Sequence, residues 1–263
     1  MVKQRDYRRI SILIHGQWGS GKSWLAASAP GPRLYLDTEG GVYDTPGVKA
    51  IWDPNKPLDS TGLTDPLTNK PFTAAVDKDT TVVVDVINWE VLEDARSVLR
   101  SGDHPFESVI IDSLHELQDQ LKQAVAEPGE QYNPNATFEQ RAWGRLLNNM
   151  AMFLRELRDL TRPGAVRKLN VILVAGSDDE IVPHKPMLEG RARKIVTGFY
   201  DVVGYLSEQV ATNGDAVRVL QISPTPDVVA KCRLHNLRVK HGTQVINPDI
   251  QKMIVTVNSK ATA

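Results

Sequence analysis

Apolar residues along this chain recur in two rhythms, short unbroken runs and longer stretches at helical spacing, and the two alternate. Ile10-Ser11-Ile12-Leu13-Ile14, Leu34-Tyr35-Leu36, Thr80 to Val86, Ser108-Val109-Ile110-Ile111-Asp112 and Asn170-Val171-Ile172-Leu173-Val174-Ala175 have strand length. They are nearly continuous in apolar character, as strands buried on both faces are. A helix from about Lys22 to Ala29 is stopped by Pro30-Gly31-Pro32, and Trp89 to Leu99 sets Trp89, Leu92, Ala95, Val98 and Leu99 at helical spacing. The longest helix runs from Thr137-Phe138-Glu139-Gln140, a capping-box pattern, to about Thr161, where Pro163-Gly164 ends it. Its stripe of Trp143, Leu146, Leu147, Met150, Phe153, Leu154, Leu157 and Leu160 reads as a face packed on the sheet. Ser113-Leu114-His115-Glu116 has the same capping spacing and opens another helix.

Strands alternating with helices predict an α/β fold with a mostly parallel central sheet and helices on both faces. Val202 to Val210 and Ala216 to Ile222 flank Thr212-Asn213-Gly214-Asp215 and predict a C-terminal β-hairpin, with Asp227 to Leu234 as one more strand. From Tyr43 to Asp79 the regularity fails: Pro46, Pro54, Pro57, Pro66 and Pro71 punctuate a polar stretch that reads as a surface excursion. The expectation is one domain over residues 1–263, interrupted at about 43–79.

Composition narrows the function more than the fold. Lysine and arginine total 31 against 32 acidic residues, which excludes a strongly basic nucleic-acid module and leaves room only for a local basic surface. No apolar run is long enough to span a bilayer, and the charged N-terminus lacks a signal-peptide core. A single cysteine, Cys232, excludes an internal disulfide and suits a reducing cytoplasm. The six histidines, among them His15, His115 and His184, show no metal-ligand spacing.

Candidate chemistry starts where the first strand ends. Gly16-Gln17-Trp18-Gly19-Ser20-Gly21-Lys22-Ser23 fits G-x-x-x-x-G-K-[ST] at every defined position, between a strand and a helix. Its glycines let backbone N–H groups turn inward around phosphates, and the following helix N-terminus favours their charge. Lys22 is expected to reach the β- and γ-phosphates of ATP, and the Ser23 hydroxyl to ligate Mg2+. Trp18 reads more readily as a packing residue than as a platform for the nucleotide. Asp112, at the tip of its strand, is the natural Walker B acid for the magnesium shell. Glu39 follows the strand after the loop's helix, so a parallel sheet brings it close enough to orient the attacking water as general base.

These residues resemble a family. Leu34-Tyr35-Leu36-Asp37-Thr38-Glu39 is similar to the RecA-type segment that delivers a catalytic glutamate, and Ser108-Val109-Ile110-Ile111-Asp112-Ser113 to that family's Walker B strand. Val229-Ala230-Lys231-Cys232-Arg233 resembles the late basic strand whose two cations reach a neighbour's ATP. Motif order from about Ile10 to Ile254 is most similar to phage-encoded, core-only RecA-like ATPases of the single-strand annealing (Sak) group.

The resemblance implies a RecA-like P-loop core acting on single-stranded DNA in phage recombination or replication, in the cytoplasm of a bacterial host. It implies a homo-oligomer, ring or filament, in which Lys231 and Arg233 stabilise γ-phosphate charge in trans, with a single-strand binding protein as a further partner. Relatives often end the Asn170–Ala175 strand on a γ-phosphate sensor; this chain has Gly176-Ser177, leaving Ser177 as the candidate. The loop beyond opens with Asp178-Asp179-Glu180 and then turns basic at Lys185, Arg191, Arg193 and Lys194, the candidate DNA contacts. An ATP-gated binding module with slow turnover and a small-molecule kinase stay open as alternatives.

Overall fold

The computed structural model describes residues 8–125, 140–178, 180, 182–210 and 214–259. The first half runs β1 (Ser11–His15), α1 (Lys22–Ala27), β2 (Arg33–Asp37), β3 (Val48–Trp52), β4 (Leu63–Thr64), β5 (Thr80–Asp85), α2 (Trp89–Ser101), β6 (Ser108–Asp112) and α3 (Leu114–Val125). The second runs α4 (Gln140–Asp159), β7 (Asn170–Ala175), β8 (Ser177–Asp178), β9 (Lys185–Pro186), α5 (Ala192–Phe199), β10 (Val202–Val210), β11 (Ala216–Gln221), β12 (Lys231–Cys232), α6 (His235–His241), β13 (Gln244–Ile246) and α7 (Ile250–Asn258).

One sheet orders all of these strands but two as β13-β11-β10-β1-β7-β6-β2-β5-β3-β4, with β12 beside β10, while β8 and β9 pair apart from it. From β10 through β1, β7, β6, β2 and β5 to β3 every pairing is parallel; β11, β12 and β13 on one side and β4 on the other pair antiparallel. The near-continuous apolar runs follow from burial on both faces, since all residues of β1, β2, β6 and β7 are buried. One face packs Leu36, Val84, Leu92, Leu117, Phe153, Leu154 and Val196 against α2 to α5. The other packs Ile12, Ile14, Leu25, Leu206, Leu220, Leu237 and Met253 against α1, α6 and α7. The α/β architecture with helices on both faces is therefore the observed one.

Three expectations change. The stretch 43–79 is more than a surface excursion: β3 joins the main sheet parallel to β5, β4 closes that edge, and Trp52, Leu63 and Phe72 are buried. Asp227 to Leu234 is not one long strand. The hairpin partner β11 occupies the flank of β10 from Tyr205 onward, leaving only Val202 and Val203 to pair with Lys231 and Cys232. Ser113 does not cap α3 through a box with Glu116, because its hydroxyl points to Glu39 and His115 instead. The expected start of α4 at Thr137 to Glu139, and Thr212 and Asn213 in the hairpin turn, lie outside the described residues. Among the described residues no helix is long and apolar enough to cross a membrane.

Candidate functional site

Parallel register puts the ends of β1, β7, β6 and β2 along one rim: His15 is level with Ala175, and Asp37 with Asp112. The loop 16–23 turns off β1 at this rim. Gly16 lies so close to β10 that an added Cβ would run into the Leu206 carbonyl, and Gly21 takes a φ of +88° that side chains resist. Ser20 closes the loop by donating its hydroxyl to the Gln17 carbonyl at 2.8 Å, while Gln17, Trp18 and Gly19 stay exposed. Lys22 Nζ curls over the loop and donates to the carbonyls of Gly16 (3.0 Å) and Gln17 (2.7 Å). Trp18 is 67% exposed, so packing does not explain it; it stands at the mouth of the cleft with Trp24.

The cleft, about 380 Å³, is lined by Lys22, Ser23, Glu39, Asp112, Ser113 and His115 among others. Asp112 is buried and takes a hydrogen bond from Tyr35 Oη at 2.6 Å, with the Ser23 hydroxyl close enough to lower its pKa in the same cleft. Burial raises its pKa above the ordinary carboxylate value; the Ser23 and Tyr35 bonds oppose that shift, and the charges of Glu39 and Asp37 add to it. The Walker A serine and the strand-tip acid thus meet, as reading the two motifs together requires.

Glu39 is placed by its neighbours. Asp37, buried at the end of β2, accepts from the N–H groups of Glu39 (3.0 Å), Gly40 (2.9 Å) and Val42 (3.1 Å) and so fixes the turn that presents Glu39. Ser113 Oγ donates to Glu39 Oε1, and His115 Nε2 lies 3.2 Å from the same oxygen. Ser113 Oγ and His115 Nδ1 are 2.8 Å apart, closing a ring of three side chains. The Gly176 N–H donates to His115 Nδ1 at 3.4 Å; that tautomer leaves Nε2–H to serve Glu39.

Sequence reasoning passed over His115, having tested histidines only for metal spacing. Its signal was position, three residues beyond the end of a Walker B strand. Arg218, which also lines the cleft, gave no local signal at all.

Other candidates lie apart. Ser177 is buried and donates to the Lys185 carbonyl at 3.4 Å, lining a second cleft of about 560 Å³; Gly176 and His115 stand where a γ-phosphate sensor was expected. Lys185 and Arg193 both approach Asp178, at 3.7 and 3.8 Å, so part of the basic run neutralises the acid before it; Asp179 is outside the described residues. Arg193 also donates to the carbonyls of Pro186 and Leu188, whereas Arg191 and Lys194 are exposed. Lys231 and Arg233 do not line the nucleotide cleft: Lys231 donates to the carbonyls of Thr197 and Gly198 and Arg233 to Gly198, at the C-terminal end of α5. Burial, then the Arg233 charge, push the Lys231 pKa down to about 8 despite those bonds.

Residues 8–234 match a family profile described as an AAA domain. The chain belongs to this family. The AAA domain is a P-loop unit that binds and hydrolyses ATP, and the match covers every element of the cleft, leaving α6, β13 and α7 outside it. No curated protein matches the chain.

The residues present suit ATP with magnesium. Glycine-shaped backbone and Lys22 fit a polyphosphate, and a hydroxyl beside a carboxylate, Ser23 with Asp112, is a hard-oxygen donor pair of the kind Mg2+ takes. Among the described residues no cluster of three or more His, Cys, Asp or Glu could hold a metal.

Proposed function

We propose that this AAA domain hydrolyses ATP with Glu39 as general base, in an assembly whose turnover responds to single-stranded DNA during phage recombination or replication. The observation that carries the catalytic part is the adjacency of two strand tips. Glu39, after β2, and the Asp112–Ser23 pair, at β6, share one cleft with Lys22. Lys22 and the loop amides would hold the phosphates, and Ser23 with Asp112 the magnesium, which supplies charge neutralisation on the phosphate oxygens. Glu39 would draw a proton from water, with Ser113 and His115 keeping its carboxylate aimed into the cleft.

Coupling to DNA is supported by His115, which lines both the nucleotide cleft and the second cleft beside Ser177 and Arg193. A ligand pressing on the second cleft would shift His115 and with it the bonding of Glu39. Arg191 and Lys194, exposed at the N-terminal end of α5, would supply charge for a phosphodiester backbone. Arg233 lies beside Ser11 at the start of β1, outside the nucleotide cleft of its own subunit, so any role it has in hydrolysis would be toward a neighbour.

A second reading, an ATP-gated binding module with slow turnover, is favoured by two observations. Glu39 is already held by Ser113 and His115, and Asp178 offsets Lys185 and Arg193. ATP hydrolysis measured against protein concentration, with and without single-stranded DNA, separates the two. DNA-stimulated turnover that steepens with concentration is the expected result; a slow rate indifferent to both would leave the binding module.

A further inference from the structure

The hairpin of β10 and β11 carries an arginine over the phosphate loop. β10 accompanies β1 as far as the pairing of His15 with Tyr205 and then continues to Val210, overhanging the loop. Arg218 on β11 pairs with Glu208, three residues past Tyr205 and so roughly 10 Å beyond the end of β1. Alternation puts Arg218 on the sheet face of Leu220 and Leu206, the face that packs α1. Its side chain folds onto the loop: a Cβ added at Gly21 would lie 2.7 Å from Arg218 Cζ and 2.8 Å from Nε.

The backbone beneath Arg218 is pinned. Its N–H donates to Asn247 Oδ1 at 3.2 Å and its carbonyl accepts from Asn247 N–H at 2.7 Å, a reciprocal lock to the end of β13. The guanidinium, by contrast, makes no side-chain hydrogen bond or ion pair among the described residues, and Glu208 across the hairpin does not neutralise it. An arginine held at the base, unpaired at the tip and lying on a phosphate loop is arranged for an anion.

We propose that Arg218 binds the nucleotide's phosphates in cis, so that each subunit carries its own arginine at the site, separate from any cation a neighbour supplies. This rests on the reading of 16–23 as the ATP site. It assigns the hairpin a function: when the guanidinium engages phosphate, β11, and through Asn247 the end of β13, become tied to the nucleotide.

The test is equilibrium binding of a ribose-labelled fluorescent ATP with magnesium to wild type, Arg218→Ala, Arg218→Lys and Lys22→Ala, followed by mixing. Because Arg218 is exposed, its removal should leave the thermal midpoint unchanged. Arg218→Ala should weaken binding about tenfold or more, the scale of one charge-assisted contact, and Arg218→Lys should recover part of it. Mixing Arg218→Ala with Lys22→Ala should give only the sum of their separate hydrolysis rates, because an intact arginine beside a broken loop cannot help its neighbour. Wild-type affinity in Arg218→Ala while Lys22→Ala fails to bind would overturn the inference and leave the ATP site standing. Turnover above the sum on mixing would overturn it by placing Arg218 in trans. Normal binding by Lys22→Ala would overturn the ATP-site reading and this inference together.

Discussion

The two ends of the parallel strands use charge in opposite ways. At the C-terminal rim, Glu39, Ser113 and His115 contact one another, Asp112 is held by Tyr35, and all four face a common cleft with Lys22. At the other end Arg8, Arg9, Arg158, Arg162 and Arg233 line a cleft of about 410 Å³, and their bonds run to structural partners: Asp201, Glu107, Asp159 and the Gly198 carbonyl. A basic count therefore says little about function; what a charge already touches says more.

Asp112→Asn should break the first end most severely. Loss of the carboxylate should lower magnesium-dependent hydrolysis by about 10²–10³-fold. Stability should move the other way. Asp112 has a folded pKa above its ordinary 3.8, so its contribution is full below that value and is lost as pH rises through the raised one. The Asn variant escapes that loss, so its thermal midpoint should exceed wild type at pH 7, by about 2–4 °C for each 1 kcal/mol recovered, and fall back toward it in acid. A lower midpoint at pH 7 would show that the Tyr35 and Ser23 bonds outweigh burial.

His115→Ala should be milder. As a positioning residue for Glu39, its loss should cost about tenfold in kcat with little change in KM, a small part of the 10²–10⁴-fold a general base contributes. His115→Gln, which keeps an N–H donor, should recover some of it. An unchanged kcat and pH profile in the alanine variant would make the ring around Glu39 incidental.

The smallest effect belongs to the other end. Lys231, lowered to about 8 by burial and Arg233, binds its proton more weakly folded than unfolded, so stability should rise slightly between about pH 8 and 10.5. Lys231→Met should flatten that rise in thermal midpoints. A flat wild-type curve would mean the bonds to Thr197 and Gly198 offset the burial.

How much of this was legible depended on the distance over which the signal acts. The loop, its strand and its helix are adjacent in sequence, and Asp112 and Glu39 were readable because one ends an apolar run and the other follows one three residues on. Strand β3 was hidden because five residues between prolines carry little pattern, and its place beside β5 is a tertiary fact. Asp37 looked like one more polar residue in a turn, although it holds three amides. Arg218 reaches Gly21 only because the hairpin overhangs β1, which the register of β10 decides and local sequence does not.

Glu39 is proposed to activate water in a site otherwise built to bind. Single-turnover hydrolysis of Mg-ATP by Glu39→Gln, with bound nucleotide measured in the same sample, addresses it directly. Unchanged binding and a chemical step slower by about 10²-fold or more are expected. A wild-type rate with wild-type binding would contradict it and remove Glu39 from the chemistry.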